Sequence, residues 1–331
     1  MSSIAVVILN YNGQKFLKNF LRGVVDYSPG ASIVIADNGS TDDSLTYVAE
    51  NFPTVEIIKI GKNLGFCGGY NYALEKADAD YFVLLNSDVE VTQNWLIPLR
   101  DLLDRDQTIA AVQPKVLSYH HKNLFEYAGA GGGMIDILGY PFCRGRIFDT
   151  LEQDNGQYND TLPVFWATGA CLVIRSKLFR QLDGFDEDFF AHMEEIDLCW
   201  RLKRLGHKVF YCGSSKVYHV GGGTLAAGNP TKTYYNFRNG LAMLIKNQGG
   251  GQLLWKLPLR LMLDWIAGLK FLLGTPAHTW AVARAHWYIF THLGRILSKR
   301  KDLIHLPFDV PEVYPHVLIW QYFIKGQKTY Q

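Results

Sequence analysis

Four apolar runs in the first hundred residues each stop at a cluster of Asn, Asp, Ser or Gly, with helical patterns between them. Ile4–Leu9 is uninterrupted, as expected of a parallel strand covered on both faces. Asn10-Tyr11-Asn12-Gly13 ends it, and Phe16, Leu17, Phe20 and Leu21 follow at helical spacing. Ser32–Ala36 reads as a second strand ended by Asp37-Asn38-Gly39-Ser40. Ser40 or Thr41 is placed to cap the next helix, with Asp42 and Asp43 in its first turn. Val55–Ile60 is a third strand, followed by Gly61 and the loop Asn63-Leu64-Gly65. A helix from about Gly68 to Ala77 leads to the strand Tyr81–Leu85, which stops at Asn86-Ser87-Asp88. This alternation implies an α/β fold with right-handed crossovers and a mostly parallel central sheet flanked by helices. Ligands of such sheets sit beyond the carboxyl ends of the strands, where all this polar punctuation falls.

The second half is less regular. Gly129–Gly145 is rich in glycine and reads as an irregular loop, and Val164–Ile174 as a strand broken near Gly169. A helix from about Met193 to Leu205, a strand at Val209–Cys212 and a segment ending in Tyr218-His219 follow. Gly221-Gly222-Gly223 reads as a hinge, and Gly249-Gly250-Gly251 separates this body from a tail. Charge divides at nearly the same place. Residues 245–331 hold eleven Lys and Arg against four Asp and Glu, a balance of +7. The first 244 residues carry 22 basic and 27 acidic residues, a balance of −5 within the total of +2. An acidic body with a basic tail points to two different partners, and nucleic acid is not among those expected. Five cysteines without metal-ligand spacing read as reduced thiols of a cytoplasmic protein. No uncharged run is long enough to span a bilayer.

Several side chains can carry chemistry. Asp88, on a loop after a buried strand, can hold a divalent metal or merely cap a helix near Thr92. Asp37 can accept the N3 proton of a pyrimidine ring or simply stabilise its turn, and Tyr11 offers a surface for the base. The glycines of Asn63-Leu64-Gly65 and Gly68-Gly69 permit close approach of the backbone to a nucleotide. Leu198, Leu202 and Leu205 define an inward helical stripe that also carries Glu195, whereas Glu194, Asp197, Arg201 and Arg204 form a separate charged stripe. Burial would raise the pKa of Glu195 and suit it to act as a general base. Its bland alternative is a charge complementing the helix's positive end. His219 follows a strand and can reach a metal or stay structural, and Trp166 is either a core aromatic or a wall for a sugar.

Taken together, the runs VVILNYNG, IVIADNGSTDDS, NLGFCGGYNYAL, YFVLLNSDVEV, WATGACLVIRSKLF, GFDEDFFAHMEEIDLCWRL and VYHVGGGT resemble glycosyltransferase family 2, a GT-A fold. They cover about residues 4 to 240 and are most similar to rhamnosyltransferase-like bacterial members. The resemblance implies a GT-A catalytic domain over 1–244, with a nucleotide-binding half (1–105) and an acceptor-binding half (106–244). A basic, amphipathic helical extension fills 245–331. It implies an inverting transfer of a sugar from a nucleotide-diphosphate donor, with dTDP-rhamnose the first choice and a UDP-sugar the second. The acceptor would be a cell-surface polysaccharide or a lipid-linked saccharide. The nucleotide would lie against Leu9-Asn10-Tyr11-Asn12, Asp37-Asn38-Gly39, Asn63 with Gly65, and Asn86-Ser87. Glu195 falls at the catalytic-base position, supported by Glu194 and Asp197; Asp88 and His219 fall at a Mg²⁺ or Mn²⁺ site, and Trp166 and Gly169 at the acceptor. Two departures stand out. Asn86 replaces the first acid of the family's metal motif, and Glu194-Glu195 replaces a commoner Glu-Asp pair.

In the tail, Lys256, Arg260 and Asp264 recur every four residues within an otherwise apolar stretch, and Arg284, Tyr288, Arg295 and Lys299 repeat the design. Such helices suit peripheral attachment of 253–300 to an anionic membrane surface, on the inner face of the plasma membrane, with the basic stripe meeting lipid. Packing on the body or in a homodimer is the alternative. Two rival functions remain. A sugar-nucleotide pyrophosphorylase would open with a glycine- and basic-rich phosphate loop, which Asn10-Tyr11-Asn12-Gly13 is not. A catalytically inactive nucleotide-sugar-binding assembly subunit is kept in view by Asn86.

Overall fold

The computed structural model describes residues 2–127, 129–221, 228–300, 305–307 and 309–330. Strands β1 (Ile4–Asn10), β2 (Ser32–Asp37), β3 (Glu56–Lys59) and β4 (Tyr81–Asn86) are parallel and lie in the order β3-β2-β1-β4. Helices α1 (Gln14–Tyr27), α2 (Ser44–Asn51) and α3 (Gly65–Lys76) make the crossovers. The continuous apolar runs arise because the sheet is covered on both faces: Ala5 and Val7 enter one core, Val6 and Ile8 the other. Strand order reverses between β1 and β4, so a crevice is expected beyond their carboxyl ends.

The chain continues through β5 (Val89–Val91), α4 (Leu96–Arg105) and β6 (Ile109–Ser118). Short strands β7 (Gly133–Asp136), β8 (Pro141–Cys143), β9 (Arg146–Ile147) and β10 (Thr150–Leu151) come next. β11 (Thr161–Val164), β12 (Cys171–Arg175), α5 (Ser176–Gln181), α6 (Glu194–Arg204), β13 (Lys208–His219) and α7 (Pro230–Asn247) complete the body. The large sheet runs β11-β13-β6-β12-β4-β1-β2-β3, with β5 on β13. β12 is antiparallel to both β4 and β6, so the parallel half is joined to a mixed half. All five cysteines are buried and free.

Some local expectations change. Helix α2 begins at Ser44, not after Ser40 or Thr41, because those side chains and Asp42 bond to the neighbouring β1–α1 loop instead. α3 begins at Gly65, where the carbonyl of Phe190 accepts from the N–H groups of Phe66 and Cys67 and satisfies two donors of the helix start. The glycine-rich stretch is not an irregular loop: it forms β7 and β8 of a second sheet. Its glycines make room for neighbours, since a Cβ on Gly133 would lie 2.2 Å from the Trp166 ring. β13 is one bulged strand rather than two segments. The expected hinge begins at Gly221 (φ +73), while Gly222 and Gly223 lie outside the described residues.

The tail forms α8 (Gly250–Leu272), α9 (Pro276–Ser298), β14 (Val313–Tyr314) and α10 (Leu318–Phe323). Among the described residues no helix is long and apolar enough to cross a membrane. α8 is inside out. Its buried stripe is Lys256, Arg260, Asp264 and Gly268, whereas Leu254, Met262, Ile266, Leu269 and Leu273 are exposed, Leu273 to 92%. The expectation that this basic stripe meets lipid is therefore overturned. Lys256 donates to Gln248. Arg260 pairs with Asp264 at 3.1 Å, donates to the Leu138 carbonyl and lies 3.5 Å from the centre of the Tyr140 ring. The Tyr140 hydroxyl completes the set on Asp264 at 2.8 Å. Near the end of α9, Lys299 pairs with Asp186 and Asp188 and faces the protein, and Arg295 pairs with Asp188 while staying largely exposed.

Buried charges paired in this way tolerate removal of one partner poorly, because the other is left uncompensated. Arg260→Met is expected to destabilise the fold by about 3–5 kcal/mol in urea denaturation. Met262→Gln, two residues away on the exposed face, is expected to change stability by about 0.5 kcal/mol or less.

Candidate active site

The loops after β1, β2 and β3 are knitted by amide side chains. Asn10, fully buried at the end of β1, places Nδ2 3.2 Å from Asp37 Oδ1, 3.0 Å from Ser40 Oγ and 2.9 Å from Ser44 Oγ. Asn12, in the left-handed region (φ 52), accepts through Oδ1 from the Thr41 N–H at 2.7 Å. Asn38 donates to Asn63 Oδ1 and the Gly65 carbonyl and accepts from the Leu64 N–H. Gly39 has φ +83, and a Cβ there would meet the Lys62 backbone at 2.8 Å, so only glycine fits. Tyr11 projects from this rim half exposed. The open backbone expected at the second glycine loop is filled by the chain itself: Phe190 packs on Gly65, Leu64 on Gly68, and Leu9 on Gly69.

Asp88 lies just past β4. It caps no helix, since β5 follows it and α4 starts only at Leu96. Its Oδ1 is 3.1 Å from His219 Nε2, brought alongside by the antiparallel pairing of β5 with β13. Glu126 Oε2 sits 3.2 Å from the other ring nitrogen. Burial opposes charge on His219, but the bonds to Asp88 and Glu126 outweigh it and lift its pKa to about 10. Burial likewise works against ionised Asp88, and His219 more than compensates, holding it below the usual carboxylate range. No group of three or more His, Cys, Asp and Glu among the described residues forms a metal cage. A cation here would have to displace the ring proton that His219 holds in its absence. One carboxylate and one neutral imidazole nitrogen would then suit Mg²⁺ or Mn²⁺, which take few protein ligands and complete their shell with substrate phosphate and water.

Glu195 opens α6. The Asn86 N–H donates to the Ala170 carbonyl, which fixes the strand break of 165–170 against the end of β4, and a Cβ on Gly169 would lie 3.9 Å from Glu195 Cβ. Asp37 at the end of β2, Asp88 just past β4 and Glu195 at the start of α6 beside Gly169 thus stand toward one end of the sheet. Glu195 is partly exposed as a residue, yet its Oε2 is covered and without a partner. Burial raises its pKa to about 7, against a smaller opposing pull from backbone N–H groups of Gly169 and the first helical turn. Glu194 is buried more completely, and its pKa is raised well above normal by burial and then by the charge of Glu195. Asp197, grouped with these two by the sequence, is engaged elsewhere. Its oxygens accept from Arg201 (2.8 Å), Lys246 (2.9 Å) and Asn247 (2.8 Å), which ties α6 to α7. The charged stripe of α6 is thus buried rather than solvated. Trp166 offers no wall for a sugar: it is buried, its indole N–H donates to the Met134 carbonyl, and its ring lies on Gly133.

Several contributors gave no signal in the sequence. Phe190, His192 and Met193 all have positive φ (63, 71 and 73), a strained run leading directly into Glu194. Asn239 of α7 holds it by donating to the carbonyls of Phe189, Ala191 and His192 at 3.0, 2.9 and 2.7 Å. Arg238 adds bonds to the Asp188 and Phe189 carbonyls. Glu126 is likewise invisible without the fold. A cavity of about 550 Å³ opens at the other end of the strands, beside Ser2, Asp80, Tyr81 and Arg175. It holds none of the residues just described, and the loop geometry is the better guide to the site.

Comparison with known proteins bears on the family and the fold. The family model described as glycosyl transferase family 2 matches residues 5–182, more than half of the chain. A protein of Mycobacterium tuberculosis named N-acetylglucosaminyl-diphospho-decaprenol L-rhamnosyltransferase is 28% identical over 232 residues, covering 65% of this chain and 75% of its own. The fold matches solved GalNAc-T7 with UDP, GalNAc and Mn²⁺ at a TM-score of 0.57 and 15% identity, over 76% of this chain but only 49% of that one. It also matches the mannosyltransferase PcManGT of Pyrobaculum calidifontis with GDP-Man and Mn²⁺ (TM-score 0.54, 13% identity, 92% and 85% coverage).

Each left-handed non-glycine residue stores about 1–3 kcal/mol that the surroundings must offset. Asn239→Ala is therefore expected to lower the melting temperature by several degrees. Hydrogen exchange of residues 189–193 is expected to accelerate, with the exchange of β1–β4 unchanged.

Proposed function

Because the chain belongs to glycosyl transferase family 2, we propose that it is an inverting, metal-assisted transferase in which Glu195 takes the proton from an acceptor hydroxyl. The observation that carries this reading is the Glu195 carboxyl itself. It is desolvated, unpaired at Oε2, lifted to about pKa 7, and set beside Gly169 at the end of β4. A base whose pKa lies near working pH is ionised often enough to act and still holds a proton firmly. Asp37 and Asn10 would receive the nucleoside with Asn12, Asn38, Gly39 and Asn63 shaping its loops, and Tyr11 would lie along the base. Asn86 and Ser87 border the diphosphate, with Asp88 and His219 holding Mg²⁺ or Mn²⁺ between them. When bound, that cation would neutralise charge building on the leaving diphosphate. Glu194 and Asp197 contribute to placing α6 rather than to proton transfer, and Gly169 leaves room for the acceptor.

In the displacement, the acceptor oxygen bonds to the anomeric carbon as the bond to the diphosphate oxygen breaks, and Glu195 receives the hydroxyl proton. The donor we favour is dTDP-rhamnose, with a UDP-sugar second, and the acceptor a lipid-linked saccharide. The name of the mycobacterial relative, an N-acetylglucosaminyl-diphospho-decaprenol L-rhamnosyltransferase, supports rhamnose as the sugar and a lipid-linked saccharide as the acceptor. The division into a catalytic body over 1–244 and an extension from 245 belongs to the same reading.

Glu195→Gln is expected to lower kcat by about 10²–10⁴-fold, the usual contribution of a general base, with little change in donor binding. Transfer measured with dTDP-rhamnose against a panel of UDP-sugars would decide the donor; activity equal to wild type in Glu195→Gln would refute the assignment. For wild type, the rate is expected to fall roughly tenfold per pH unit as pH drops below about 7, where Glu195 becomes protonated, and to level off above it. His219→Ala is expected to weaken Mn²⁺ binding at least about tenfold in calorimetric titration.

A further inference from the structure

The tail helices leave a large apolar surface open, and its chemistry differs from that expected of the sequence. On α8 the exposed residues Leu254, Met262, Ile266, Leu269 and Leu273 follow one another at helical spacing. α9 adds Trp280, Trp287 and Phe290, exposed to 67%, 67% and 75%. The two helices adjoin where Trp265 meets His286 edge-on at 5.4 Å, and Thr279 bonds to the Gly268 carbonyl at 2.8 Å. α10 extends the surface with Trp320, Phe323 and Ile324, and Lys270 at the end of α8 sits over the Phe323 ring. Five of the eight tryptophans of the chain belong to this tail, and all five are between 43% and 67% exposed.

We infer that the outward faces of α8, α9 and α10 form an in-plane docking platform for an anionic lipid surface, held by apolar insertion rather than by the buried basic stripe. Charge decides the occupant. Between 250 and 300 the one acidic residue is Asp264, which is buried, so every exposed charge there, among them Lys270 and Arg284, is positive. A second copy would bring the same positive rim face to face with this one. An anionic headgroup layer complements it, while exposed tryptophans sit well at headgroup level and leucine and phenylalanine just beneath. With no described helix able to cross a bilayer, the platform lies on the membrane rather than through it. The surface uses none of the residues placed in the proposed transfer site.

The test is co-sedimentation of the full chain with vesicles of equimolar phosphatidylglycerol and phosphatidylcholine, alongside tryptophan emission. Wild type is expected to sediment with the vesicles, to shift its emission to shorter wavelength, and to stay partly bound in high salt. The combined variant Leu269→Gln, Trp287→Gln and Phe290→Gln is expected to bind roughly tenfold more weakly or worse while melting like wild type. Three results would overturn the inference: no vesicle binding by wild type; unchanged binding by a folded triple variant, which would assign attachment to the basic rim alone; or a wild-type dimer in solution that the triple variant converts to monomer, which would give the face to a second copy.

Discussion

The seating of α6 on α7 is the interaction on which the candidate site rests. A covered carboxyl oxygen without a partner and three positive-φ side chains, Phe190, His192 and Met193, are each unfavourable, and here they are close neighbours in the chain. What offsets them comes from one helix. Asn239 gathers three carbonyls of the strained run, and about two turns further along α7 Lys246 and Asn247 close on Asp197. Asp197 is satisfied so that Glu195, two residues earlier, can remain unsatisfied.

The loop after β3 and Glu195, the proposed base, are mechanically joined through Phe190. Its carbonyl caps the first turn of α3, its ring fills the space over Gly65, and the same residue begins the strained run into α6. Asn63 and Asn38 fix the other side of Gly65. A displacement of the loop after β3 must therefore be felt at Glu195 through a short path of backbone contacts, without any long side chain to absorb it.

Much of this was legible in the sequence, for identifiable reasons. Strands buried on both faces must be apolar at every position, so β1, β2 and β4 announce themselves. Glu195 stood out because it shares a helical stripe with Leu198 and Leu202, both fully buried. Other features have tertiary causes. Gly133 is a strand residue because Trp166, thirty-three positions away, needs the space of its missing side chain. Ser40 and Asp42 serve a neighbouring loop rather than their own helix. In the tail, periodicity established two opposite stripes but could not say which turned inward. That depended on Tyr140, Leu138 and Gln248 waiting in the body with the right partners for Arg260, Asp264 and Lys256. Glu126 beside His219 has no local pattern at all.

The last part of the chain folds back to the body. β14 adds to β7, the Leu318 N–H bonds to buried Asp136 at 2.8 Å, Glu312 pairs with Lys203 of α6, and the Tyr322 and Thr150 hydroxyls meet at 2.8 Å. Burial already pushes the Asp136 carboxyl up to about 6. A chain clipped after α9 would strip both Asp136 and Lys203 of a partner they cannot replace. The carboxyl-terminal residues thus act as a buckle on the catalytic body, and proteolysis or shortening there would register in the core before it altered the surface.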